Sequence, residues 1–173
     1  MHKSAISPLP VFFDRYINLV DEMDLLDALQ KYSPENLFVK TYQLIRLGEK
    51  TYAPDKWTVK DILQHCIDTE RIMTYRALRF ARNDATTLPG FEEDLFASHA
   101  KANRRSVPDL LEEWGQLRAA TLSMFKNFDE EMLMRKGTAF KGDISVLALG
   151  FVIVGHPVHH CNIIQERYLP LLG

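Results

Sequence analysis

Three of the six histidines fall within one apolar stretch, GHPVHHCNII, from Gly155 to Ile164. Imidazole ligates metals, carries protons near neutral pH and hydrogen-bonds when buried, so spacing decides which of these is open to it. A helix turns about 100° per residue, which puts His156 and His160 on one face, one above the other. Two imidazoles so placed converge on a single ion at roughly 2.0–2.1 Å each. His159 lies three residues from His156 and is an alternative second ligand; spacing alone leaves the choice between His159 and His160 open. A third group must come from another element. His65 lies in the apolar stripe of a second helical pattern, with Ile62, Thr69, Ile72 and Arg76 close to its face. Together these make a three-histidine site with at least one coordination position free, as in catalytic rather than closed structural zinc. The other reading is core histidines held by hydrogen bonds. Two buried imidazoles side by side need partners for their nitrogens, and an ion serves both at once.

The residues around these histidines supply the remaining candidates. Cys66 and Cys161 directly follow His65 and His160 but are turned about 100° from them; they read as small buried hydrophobes and are the main alternative ligands. Asp68, three residues after His65, is the candidate catalytic carboxylate, a general base for hydrolysis, with a surface or supporting role as its other reading. Arg76, eleven residues after His65 and nearly on the same face, is the candidate substrate-binding group for a carboxylate or phosphate; pairing with Glu70 or Asp94 is the alternative. Arg71, Arg76, Arg79 and Arg82 read as a helix face with ion pairs. Trp57, Tyr75 and Trp114 read as packing, His2 and His99 as exposed. Pro157 removes the hydrogen bond to the Ile153 carbonyl and crowds it, which predicts a kink beside His156. Gly155 permits a close helix approach there.

The elements that must position these groups are helical nearly throughout. A short entry helix is expected over Val11–Val20, then a pattern from Asp24 to about Leu47 with a pause at Ser33-Pro34. Thr58 caps a helix running to about Arg82. Residues 83–107 are irregular around the Pro89-Gly90 turn, with a helical part near Glu92–Asn103, and the Pro89-Gly90-Phe91 loop is a candidate lid. Pro108 opens a third long helix. A loop follows from Phe128 to Asp143, and Ser145 caps the last helix, to about Tyr168. No segment shows strand alternation with hairpin turns. The expected fold is all-α: an antiparallel four-helix bundle with an additional short N-terminal helix, one domain over residues 1–173.

Composition limits the function classes. The 173 residues carry a net charge of −2, 46% hydrophobic and 25% charged, which argues against nucleic acid or an anionic membrane as partner. Two cysteines make no disulfide framework, and MHKSAISPLP lacks the apolar core of a signal peptide, so a cytoplasmic location is expected. The run from Ile144 to Gly155 is too short to cross a bilayer and reads as a helix buried on most sides.

The segment KWTVKDILQHCIDTERIMTYRALRFARND resembles the second-helix region of the DinB/YfiT-like superfamily, four-helix bundles regarded as metalloenzymes. LPGF at Leu88–Phe91, Arg118 in the third helix, and ISVLALGFVIVGHPVHHCNIIQERYL in the last extend the likeness over about residues 10–169. The resemblance implies metal ligands His65, His156 and His160, which leaves His159 as a neighbour. Pro157 departs from the commoner pattern, where a residue able to continue the helix stands. The resemblance also implies either a thiol (S-)transferase working with a low-molecular-weight thiol or a hydrolase. The cofactor expected is a divalent ion, zinc first, with nickel, manganese or iron also tolerating histidine. The expected partners are a small-molecule substrate and a second copy of the chain in a homodimer. The competing class is a non-catalytic bundle whose metal is structural or absent.

Overall fold

The structure, a computed structural model, describes residues 1–140 and 142–173. Its frame is the expected antiparallel four-helix bundle, with the short helix α1 (Asp14–Ile17) packed against the last bundle helix. The first bundle segment is broken more than its periodicity suggests. It consists of α2 (Leu25–Lys31), α3 (Pro34–Leu37) and α4 (Thr41–Leu47). The Asp24 carboxylate caps α2 by accepting from the Leu26 amide at 2.9 Å, and the expected pause falls at Ser33-Pro34. A second break follows at Phe38, which leaves the helix and packs its ring against Trp114, centroids 5.3 Å apart.

The next helix, α5 (Val59–Ala81), begins in a capping box: Asp61 N–H donates to Thr58 Oγ1 at 3.2 Å and Thr58 N–H to the Asp61 carboxylate at 3.0 Å. The irregular stretch holds α6 (Glu93–Ala100), and α7 (Val107–Lys126) is capped by Ser106 with Pro108 in its first turn. The segment expected to be a plain loop contains α8 (Glu130–Met134) and an antiparallel hairpin, β1 (Lys136–Ala139) with β2 (Gly142–Ser145), pairing Lys136 with Ser145 and Ala139 with Gly142. Neither KGTA nor GDIS alternates apolar with polar residues, which is why the pattern missed them. Ser145 then caps α9 (Val146–Ile163), accepting from the Ala148 amide at 3.1 Å. One π-helical turn (Ile164–Tyr168) and a 3₁₀ turn (Leu169–Leu172) end the chain.

The hydrophobic core forms two clusters, one including Leu29, Phe80, Phe125 and Phe151, the other Leu63, Leu110, Trp114 and Tyr168. Both α5 and α9 run through the two clusters, and the interval between falls at residues 68–72 on α5 and 155–160 on α9. Polar chemistry is concentrated at that interval. Helix α9 with its two terminal turns is long and apolar enough, by length and composition, to cross a membrane, but 72% of its apolar window is buried inside the protein. A helix apolar all round needs such surroundings: α1, α2, α5 and α8 all pack on it.

Helical backbone continues through Pro157 without interruption. The Ile153 carbonyl, which Pro157 deprives of its helical donor, receives Arg118 Nη2 at 3.4 Å. At Gly155 a Cβ would lie 2.0 Å from the Tyr16 carbonyl oxygen, so a side chain is excluded by the backbone of α1.

Candidate metal centre

His65 on α5, set between Leu63 and Cys66 of the second apolar cluster, meets His156 and His160 of α9, which lie in the interval between the clusters. His65 Nε2 lies 3.0 Å from His156 Nε2, and His160 Nε2 lies 3.1 Å from the same atom. All three are nine-tenths or more buried. Hydrogen bonding among them satisfies only one of these two contacts well, because His156 Nε2 carries either one proton or one lone pair. His160 Nδ1 is also buried with no hydrogen-bond partner. Ligands 2.0–2.1 Å from one ion stand about 2.9 Å apart in octahedral and about 3.3 Å apart in tetrahedral geometry. The observed separations lie between these values, and the donor set fits a divalent ion.

Burial lowers the pKa of all three imidazoles, to about 4 for His65 and about 3 for His160, and well below the ordinary value for His156, where its histidine neighbours add to the effect. Neutral imidazole is the form that ligates. The rings are wedged from outside the cluster: Trp57 packs on His65 with centroids 4.8 Å apart, and the edge of Tyr16 meets His156 at 5.1 Å.

His159 does not join the cluster. It is half-buried, its ring 5.6 Å from Tyr16. Nor do the cysteines: the Cys161 thiol donates to the Leu37 carbonyl at 3.3 Å, and Cys66 is a core residue whose thiol burial pushes up. Among the described residues no carboxylate or thiol stands with the three histidines, so a bound ion would keep positions open to solvent or substrate.

The structure places Asp68 and Arg76 differently. Asp68 accepts from Gln64 Nε2 at 2.9 Å, in a polar group with Arg71, Arg105 and Glu113, and does not line the cavity beside the histidines. Burial raises its pKa. Arg76 does line that cavity, a space of about 40 Å³ that also touches His65 and His156. Its Nη2 donates to the Pro89 carbonyl at 2.7 Å. Glu70, a pairing partner considered for it, belongs to Arg118 instead: both carboxylate oxygens are bound by Arg118, at 2.8 and 2.9 Å, and accept from Trp114 Nε1 at 2.7 Å and Thr121 Oγ1 at 2.9 Å. Arg118 also donates to the carbonyls of Leu29 and Tyr32.

Gly90 and Phe91 of the candidate lid loop line this cavity. Sequence reasoning missed the hairpin that ties the loop down: Leu88 N–H donates to the Thr138 carbonyl at 3.0 Å and Phe140 N–H to the Leu88 carbonyl at 3.1 Å. Tyr16 and Glu93 also line the cavity, and no pattern links either to His65. Thr69 was legible, one helical turn beyond His65.

Comparison with solved structures finds YfiT from Bacillus subtilis, described as "a probable metal-dependent hydrolase with an unusual four-helix bundle topology", at 14% identity and a TM-score of 0.68, covering 92% of this chain and 87% of that one. At that identity the likeness concerns the fold. No curated protein matches. The family model of the DinB superfamily matches residues 18–164, and the chain belongs to that superfamily.

Proposed function

We propose that the protein is a metal-dependent enzyme whose ion is held by His65, His156 and His160. The observation that carries this is the convergence of three buried, neutral imidazoles without a fourth protein ligand. When bound there, a divalent ion supplies Lewis acidity and lowers the pKa of a coordinated water or thiol. Zinc suits three imidazoles best, with nickel, manganese and iron as the other ions such donors hold. The chain's own groups do the rest. Trp57 and Tyr16 fix the rings, the apolar walls exclude water, and Arg76 faces the same cavity with a fixed positive charge.

Hydrolysis of a small-molecule ester or amide is the leading reaction, supported by the description of the structurally similar YfiT. Transfer of a low-molecular-weight thiol is the second reading. It is favoured by Asp68 lying outside the cavity, since coordination alone can hold a thiol as thiolate, whereas water profits from a base. Cytoplasmic residence and a homodimer belong to the same reading.

The test is metal content of the purified protein, then of His65→Ala, His156→Ala and His160→Ala separately. Loss of at least about tenfold in affinity is expected for each; unchanged metal in all three ends the assignment. Metal-stripped and reloaded protein is then assayed on nitrophenyl esters and on conjugation of small thiols to an electrophile. Activity in neither assay, or activity unaffected by stripping, leaves the non-catalytic bundle as the better account.

A further inference from the structure

Binding of an ion by the three histidines makes no use of the charge on Arg76, which is only 3% exposed. The carboxylates near it in sequence are committed elsewhere, Glu70 to Arg118 and Asp84 to Arg79, and no ion pair to Arg76 exists among the described residues. Its recorded acceptors are the Pro89 carbonyl and the Met73 sulfur, the latter 3.5 Å from Nη1. A guanidinium has five N–H donors, and these two contacts do not exhaust them. Burial lowers its pKa with no neighbouring charge to offset the effect. A buried, unpaired charge of this kind is strongly unfavourable until an anion joins it.

A second, independent feature points into the same space. Thr69 is 4% exposed and its Oγ1 has no hydrogen-bond partner. His65, Thr69, Met73 and Arg76 step along α5 by four, four and three residues and line one cavity together, as one helix face must. A space of about 40 Å³ holds a few waters, or one small polar group. The remaining walls are largely apolar, and Phe12, Phe13 and Phe140 are shared with an adjoining cleft of about 600 Å³.

We propose that this cavity is a carboxylate subsite: Arg76 pairs with the carboxylate of an apolar small-molecule acid, Thr69 donates its hydroxyl to the same ligand, and the reacting group lies beside His65 and His156. This rests on the catalytic reading above for the role of the histidines, but not for binding. A carboxylate is favoured over a phosphate because it is singly charged and planar, and matches one guanidinium fork. A phosphate dianion needs more donors than one guanidinium and one hydroxyl supply. The exposed Glu93 at the cavity wall also opposes a second negative charge.

The test is thermal-shift and calorimetric titration with butyrate, its neutral isostere butyramide, and inorganic phosphate, on metal-loaded and on chelated protein. Butyrate is expected to bind both forms, and butyramide and phosphate at least about tenfold more weakly. Arg76→Met should weaken butyrate by about tenfold or more and Thr69→Val by a smaller factor, with metal content unchanged in both. Arg76→Lys, which keeps the charge, should retain part of the binding and serves if the methionine variant does not fold. Butyrate binding that survives Arg76→Met, that vanishes when metal is removed, or that is matched by phosphate would overturn the proposal. Butyrate bound through Arg76 by a protein that takes up no metal would instead sink the enzyme reading and leave the subsite standing.

Discussion

At the scale of single residues, the site is governed by what burial does to charge. Each histidine titrates near 6.5 in an unfolded chain, whereas the fold holds His65 at about 4 and His160 at about 3, with His156 lowered in the same sense. Between those values the unfolded chain binds more protons, so stability rises with pH across that window. Chelated protein is therefore expected to lose stability as pH falls from about 6.5 toward 3. Urea midpoints taken across that range check it, and His65→Gln should flatten part of the slope. Arg118 and Glu70 are a buried ion pair instead: both are buried, and every oxygen of Glu70 is satisfied. Arg118→Met strands that carboxylate and leaves the Ile153, Leu29 and Tyr32 carbonyls without their donor. A loss of about 3–5 kcal/mol is expected, read from denaturant unfolding; a loss below about 1 kcal/mol would show that the network is not what ties these helices. Asp68→Asn, by contrast, is expected to leave metal content unchanged, since Asp68 bonds Gln64 away from the cavity.

At the scale of elements, the passage from Ile153 to His160 is where α9 meets two neighbours. Gly155 admits the Tyr16 carbonyl of α1, and Arg118 of α7 takes up the carbonyl that Pro157 leaves without a donor. The proline that departs from the commoner pattern thus has a partner on another helix. Gly155→Ala puts a methyl against rigid backbone, and overpacking of this kind costs about 1–3 kcal/mol. Because Tyr16 packs on His156, the same change is expected to weaken metal binding. Equal metal affinity in wild type and Gly155→Ala, measured by competition with a chelator, would separate α1 from the site.

For the whole molecule, the polar interval lies between two apolar clusters that each pack without it. Removal of metal is thus expected to leave the helical circular dichroism unchanged and to lower the melting temperature only by the binding free energy, which depends on free metal concentration. Collapse of the helical signal on chelation would make the ion structural.

The sequence by itself determined the bundle and the caps at Thr58 and Ser145, and it narrowed the partner of His156 to His159 or His160, because helical period and capping are local and leave their mark within a few residues; the family resemblance then pointed to His160. The sequence also placed His65 on the right face of α5. It could not decide what faces that helix across space. Whether Asp68 or Arg76 turns toward the histidines, which carboxylate Arg118 takes, and that a hairpin of two four-residue strands holds the Leu88–Phe91 loop over the cavity are settled by packing between segments far apart in the chain. The elements α1, α7 and β1–β2 reach the site from residues 16, 118 and 138, and only the tertiary fold brings those positions together.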